Sequence, residues 1–90
     1  MRMVLNRCFG GFSLSKEACE LLGVKRDGMY VGRTDERVIE VVEKLGRKAN
    51  GDSADLEIVE IPDDVTDYEI YDYDGREEVI YVAGGLLHHA

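Results

Sequence analysis

A glycine-rich segment near the start of the chain holds most of the residues that could bind a ligand. Its sequence is Asn6-Arg7-Cys8-Phe9-Gly10-Gly11-Phe12-Ser13-Leu14-Ser15, and a predicted helix follows it. Paired glycines allow close approach of the backbone, and the N–H groups of a helix N-terminus favour an anion. Arg7 adds a fixed positive charge, and the rings of Phe9 and Phe12 could stack on a base. These residues are typical of a small phosphate or nucleotide pocket.

We predict nine ligand-binding residues from this segment and from Arg33, which we take as a second counter-charge. They are Asn6, Arg7, Phe9, Gly10, Gly11, Phe12, Ser13, Ser15 and Arg33. The glycine spacing matches neither a dinucleotide fingerprint nor a Walker A loop, since no Lys-Ser or Lys-Thr pair follows the glycines. A tight strand-to-helix turn, with both phenylalanines in the core and Ser15 as the N-cap, accounts for the same residues. Both interpretations stay open at this point.

The other reactive side chains do not have the spacing of a catalytic or metal-binding set. Cys8 as a nucleophile needs a base, and the only histidines are His88 and His89 at the end of the chain. These histidines and the two cysteines, Cys8 and Cys19, match no zinc pattern. We therefore predict no enzyme activity, no metal and no cofactor, and we expect both cysteines to be buried as small apolar residues.

Charge is distributed unevenly along the chain, whose formal net charge is −8. Residues 1–50 contain ten Lys or Arg and seven acids, whereas residues 51–90 contain Arg76 alone and twelve acids. Duplex nucleic acid and anionic membranes both require a basic face, so we predict neither as a partner. The absence of a long apolar run or a signal peptide indicates a cytoplasmic protein.

Apolar spacing and turn residues predict a β-α-(β)-α-β-β-β order. The predicted strands are Met3–Cys8, a short one around Met29-Tyr30-Val31, Leu56–Ile61, Tyr68–Tyr73 and Arg76–Val82; the helices begin after the N-caps Ser15 and Thr34 and end at Gly23 and Gly46. Asp74-Gly75 is a strong two-residue hairpin signal, which sets Ile70 opposite Val79. We predict an α+β fold with an antiparallel-rich sheet of about four strands and two helices on one face. Residues 1–83 form the single domain, and residues 84–90 a frayed tail.

The motif Val4-Leu5-Asn6-Arg7-Cys8-Phe9-Gly10-Gly11-Phe12-Ser13-Leu14-Ser15 resembles the opening of a family of short uncharacterised bacteriophage and prophage proteins. The resemblance continues through Arg33-Thr34-Asp35, Val41-Val42-Glu43-Lys44-Leu45-Gly46, Ala49-Asn50-Gly51, Val59-Glu60-Ile61-Pro62-Asp63 and Tyr73-Asp74-Gly75. Such proteins tend to end in a basic and aromatic tail, which this chain lacks. The resemblance implies a phage protein that acts in a bacterium, without an established activity.

Two functions are compatible with these features. The first is a non-enzymatic protein that binds a small phosphorylated or nucleotide-like ligand, by analogy with small phage proteins that sequester nucleotide immune signals in anti-defence. The second is an acidic protein-interaction module that binds and inhibits a host or phage protein through residues 51–90. Because a core of this size is marginal, we also predict a homo-oligomer, with a dimer as the first expectation.

Overall fold

The computed structural model describes residues 1–25 and 31–90. In chain order the elements are β1 (Arg2–Asn6), α1 (Lys16–Leu22), α2 (Glu36–Leu45), a 3₁₀ helix (Gly46–Ala49), β2 (Leu56–Glu60), β3 (Asp67–Tyr73), β4 (Arg76–Ala83) and β5 (Leu86–His89). None of the helices in the described ranges is long and apolar enough to cross a membrane. The predicted strand around Met29-Tyr30-Val31 lies largely outside the described residues.

The strands form two small antiparallel sheets, β1–β2 and β3–β4–β5. The α+β class is confirmed, but the single sheet of about four strands is not formed. The edge of β1 away from β2 bonds to Arg33 and Glu77 rather than to a further strand, and the second sheet packs on one face of β1. Val4 packs in one apolar cluster with side chains of the helices, and Met3 and Leu5 pack in a second cluster with Val79 of β4. The β1–β2 sheet therefore lies between the helices and the second sheet.

Both helices begin and end at residues whose chemistry favours those positions. Ser15 is the N-cap of α1, and Gly23 ends this helix in the left-handed conformation, with φ of 70°. The N-cap of α2 is Asp35, one residue later than the predicted Thr34, and its side chain accepts a hydrogen bond from the N–H of Arg37. Asp35 is as good a cap as Thr34, so the sequence pattern alone did not separate them.

The β3–β4 hairpin has the predicted register, with Ile70 opposite Val79 and Tyr73 opposite Arg76. Its two turn residues, Asp74 and Gly75, have φ of 52° and 94°. Positive φ at both central residues matches the twist of the flanking strands, which is why this dipeptide is a reliable hairpin signal.

The prediction of a frayed tail at residues 84–90 is wrong. Leu86–His89 form β5, which pairs with β4 in antiparallel register. Beyond it, Ala90 exchanges backbone hydrogen bonds of 2.9 and 3.0 Å with Val79. Gly84 and Gly85 both have positive φ and form a second two-residue turn, which returns the chain to the sheet.

Candidate functional site

The glycine-rich turn packs directly against the turn of the β3–β4 hairpin. A Cβ added to Gly75 would lie 2.5 Å from the backbone N of Gly11 and 2.6 Å from the carbonyl O of Phe9. Real Cβ atoms do not approach backbone so closely, and Gly75 and Gly11 both have positive φ. Gly75 is therefore required for the contact between the two backbone segments, whereas Gly11, where a Cβ would meet nothing within 4 Å, is favoured only by its positive φ.

Asn6, at the end of β1, connects three segments around this contact. Its Nδ2 donates hydrogen bonds of 2.7 Å to the carbonyl oxygens of Cys8 and Gly75, and its Oδ1 accepts one of 2.8 Å from the N–H of Asp55. The side chain is fully buried. A buried amide with both ends bonded stabilises the fold, so its polar groups are used within the chain.

Arg33 forms a bidentate ion pair with Glu77 of β4. Its Nη1 and Nη2 donate to Glu77 Oε1 and Oε2 at 2.5 and 2.7 Å, and the Glu77 side chain is only 5% exposed. The N–H of Asn6 donates to the same Glu77 Oε1 at 2.8 Å. The guanidinium carbon of Arg33 also lies 3.6 Å from the centroid of Phe12, a cation–π geometry. This network joins the two sheets and neutralises the charge of Arg33.

Arg7 likewise has acidic and carbonyl partners within the chain. Its Nε donates to Glu57 Oε2 at 3.0 Å, and its Nη1 donates to the carbonyl oxygens of Glu77 at 3.0 Å and Ala90 at 3.5 Å. The predicted counter-charges for a ligand are thus both paired with carboxylates. Glu57 and Glu77 are far from the arginines in sequence, so no local pattern indicated these pairs.

The serines of the turn bond to neighbouring backbone. Ser15 Oγ accepts from the N–H of Ala18 at 3.1 Å and donates to the carbonyl O of Lys48 at 2.5 Å. Ser13 Oγ donates to the carbonyl O of Asp52 at 3.3 Å. The N-cap role of Ser15 is confirmed. Cys8 is half-buried beside Ser53, to whose carbonyl its thiol donates at 2.9 Å.

Five of the nine predicted ligand-binding residues line one cavity of about 430 Å³. Its lining consists of Gly10, Gly11, Phe12, Ser13 and Arg33, together with Asp52, Asp72 and Glu77. Of the other four, Asn6 is fully buried, and Arg7, Phe9 and Ser15 lie outside the cavity. Three carboxylates accompany a single guanidinium, so the local field favours a cationic group over an anion.

Phe9 belongs to a second depression, of about 400 Å³, on the outer face of the β3–β4 hairpin. Tyr71, Tyr73, Arg76 and Glu78 complete its lining. Phe9, Tyr71 and Tyr73 are 65%, 50% and 74% exposed. A core position for Phe9, which was part of the strand-to-helix-turn interpretation, is not observed. In the structure these three rings are displayed to solvent.

Strand β3 is exposed along almost its whole length, since only Ile70 is half-buried. It contains three acids, Asp67, Glu69 and Asp72, and no basic residue. It is also the terminal strand of its sheet. We call β3 and its unpaired side the acidic edge; it combines exposed carboxylates, exposed tyrosines and an open strand.

Comparison of the chain with protein-family models, with curated proteins and with solved structures gives no match. Within the described residues, no group of three or more His, Cys, Asp or Glu side chains is arranged to hold a metal ion.

Proposed function

We propose that this chain is a non-enzymatic protein-interaction module, which binds a basic segment of a partner protein through the acidic edge and its tyrosines. The observation that carries this proposal is the exposure of β3, whose acids and aromatic rings contribute little to the two apolar clusters. Exposed tyrosine and phenylalanine rings are frequent anchors of protein interfaces.

The charge distribution supports the same function. Residues 51–90 carry twelve acids against Arg76, and Arg76 itself pairs with Glu78 at 3.1 Å. Uncompensated carboxylates on one surface accelerate encounter with a basic partner and repel acidic ones. The two arginines predicted as counter-charges for an anionic ligand, Arg7 and Arg33, are instead paired with Glu57 and Glu77.

Charge reversal on the acidic edge tests this function. We expect the double variant Asp67→Lys, Glu69→Lys to lose the basic proteins that the wild-type chain captures from bacterial lysate at low ionic strength. The matched control is Glu17→Lys, Glu40→Lys, which makes the same charge change at exposed positions of α1 and α2. Equal capture by both variants, or no capture by the wild-type chain, would contradict the proposal. Glu77 is unsuitable for reversal because it is buried in the ion pair with Arg33.

A second candidate is the binding of a small phosphorylated or nucleotide-like ligand, as in an anti-defence protein of a phage. Its one supporting observation is that a cavity gathers Gly10, Gly11, Phe12, Ser13 and Arg33, with the Arg33 guanidinium beside the Phe12 ring. The Arg33–Glu77 ion pair and the carboxylates of Asp52 and Asp72 oppose an anion there, which is why this function comes second. Calorimetry against cyclic nucleotides and ADP-ribose derivatives tests this candidate directly. Absence of heat with every one of them removes it. Native mass spectrometry of the purified chain would report a retained ligand together with the proposed dimer.

A further inference from the structure

Strand β3 has backbone groups that point away from its sheet. Val79 of β4 exchanges both of its backbone hydrogen bonds with Ala90, on the β5 side. In an antiparallel ladder the bonding direction alternates along each strand, so Ile70, which lies opposite Val79, directs its N–H and C=O outward. By the same alternation Tyr68 and Asp72 also point outward, whereas Glu69 and Tyr71 face β4. Within residues 1–25 and 31–90, no strand pairs with this side of β3.

The side chains of β3 restrict what can pair with this open edge. Asp67, Glu69, Tyr71 and Tyr73 lie on the outer face of the sheet, and Tyr68, Ile70 and Asp72 on the inner face. Two copies of the chain paired through β3 would bring six carboxylates together, and charged edge strands are a common means of preventing such self-association. A strand with basic side chains would instead be attracted to β3, since each Lys or Arg would neutralise the charge of one of its carboxylates.

We propose that the acidic edge binds an extended segment of a partner protein as a fourth strand of the β3–β4–β5 sheet. The partner segment carries Lys or Arg at every second position, so that its basic side chains lie on the outer face. There they meet the carboxylates of Asp67 and Glu69 and the rings of Tyr71 and Tyr73, which accept cation–π contacts. Main-chain hydrogen bonds to Tyr68, Ile70 and Asp72 supply the remaining affinity. This inference rests on the proposed function and specifies its binding mode.

A synthetic peptide of alternating lysine and threonine, labelled for fluorescence anisotropy, tests the binding mode. The comparison peptide has the same sequence with N-methyl groups on the alternate residues whose N–H would face β3. We expect the unmodified peptide to bind and the methylated one to bind at least about tenfold more weakly, since three backbone donors are removed. Equal binding of the two peptides would overturn the strand-addition inference and leave the proposed function standing. No binding of the unmodified peptide would also overturn it, while partner capture remains a separate test.

Amide hydrogen exchange locates the peptide on the chain. We expect the amides of Tyr68, Ile70 and Asp72 to become protected when the lysine–threonine peptide is added, and those of Glu69 and Tyr71 to be protected with or without it. Protection without this alternation would contradict strand addition.

A charge swap separates electrostatic recognition from loss of folding. The double variant Asp67→Lys, Glu69→Lys is expected to lose the lysine–threonine peptide and to bind a glutamate–threonine peptide instead. Failure to gain the acidic peptide, in a variant whose circular dichroism spectrum matches that of the wild-type chain, would count against the proposed pairing.

Discussion

Glu77 is the residue at which the contacts between the two sheets converge. Its carboxylate accepts hydrogen bonds from Arg33 and from the N–H of Asn6, and its carbonyl accepts one from Arg7. A single acid in β4 thus fixes the end of β1 and Arg33, which lies three residues before the start of α2. The expected binding residues Asn6, Arg7 and Arg33 are all held by this network, which accounts for their polar groups without a ligand.

Replacement of Glu77 tests how much this network contributes to the free energy of unfolding. Glu77→Gln leaves Arg33 without its counter-ion, so we expect the free energy of unfolding to fall by about 3 kcal/mol. The control is Glu78→Gln, whose half-exposed ion pair with Arg76 predicts a change below about 1 kcal/mol. Urea unfolding followed by circular dichroism measures both. Equal midpoints for the two variants would show that the network does not stabilise the fold.

Local chemistry made Ser15 predictable, whereas the partners of the arginines were not. An N-cap is defined by residues within one helical turn, and the hydroxyl of Ser15 indeed accepts from Ala18. Arg7 and Arg33 meet acids that are 50 and 44 residues away. Long-range ion pairs of this kind depend on how the sheets stack. A local sequence pattern therefore does not show that Arg7 and Arg33 have acidic partners within the chain.

At the scale of elements, three glycine-containing turns arrange the strands: two of them contact each other, and the third connects β4 to β5. The glycine-rich turn at residues 9–12 contacts the Asp74-Gly75 turn, and Gly84-Gly85 starts β5. The sequence predicted the first hairpin with its register. It did not predict the second hairpin, since Gly84-Gly85 lies in the predicted frayed tail although a Gly-Gly pair is also a hairpin signal.

Alanine substitution distinguishes a glycine required by contact from one required only by its φ. Gly75→Ala places a Cβ against the backbone of Gly11 and Phe9, so we expect it to reduce the unfolding free energy by about 2 kcal/mol more than Gly84→Ala. Gly84 also has positive φ, but a Cβ there meets nothing within 4 Å. Chemical denaturation of both variants gives the difference. A similar loss for both would mean that the turn-to-turn contact relaxes readily.

Strand β3 is the element whose role the structure changes most. Tyr68, Tyr71 and Tyr73 are all exposed, while Tyr81 on β4 is half-buried and stacks on His88 of β5 at 5.1 Å between ring centroids. The aromatic residues thereby become available for a partner.

At the scale of the whole molecule, the net charge of −8 is concentrated in the second half of the chain, which forms β2 and the second sheet. Cationic neighbours compensate part of it: the Met1 amine, 2.6 Å from Asp63, lowers the pKa of that carboxyl through a hydrogen bond and charge attraction. The acids of β3 have no such neighbour among the ion pairs of the described residues, whose carboxylates come from elsewhere in the chain.

Uncompensated repulsion between these acids predicts a salt effect on stability. We expect the Tm of the wild-type chain to rise by a few degrees, roughly, from low to high NaCl concentration, because salt screens exposed like charges more than the buried Arg33–Glu77 pair. The double variant Asp67→Lys, Glu69→Lys should have a higher Tm at low salt and a smaller rise. Differential scanning calorimetry at both salt concentrations is the measurement. A wild-type Tm that falls as salt is added would contradict this interpretation.

The sequence by itself determined the features that depend on neighbouring residues: the α+β class, the cap of α1, the register of the first hairpin and the acidity of residues 51–90. Tertiary structure decided the division into two sheets, because β4 packs on the face of β1 that carries Met3 and Leu5, and the edge of β1 away from β2 bonds to Arg33 and Glu77. It also determined that the polar side chains of the glycine-rich segment, Asn6, Arg7, Ser13 and Ser15, bond to distant segments of the same chain. Tertiary structure also makes β3 an edge strand. Sequence periodicity could not predict this, because it indicates which face of a strand is buried and not which strand lies at the end of a sheet.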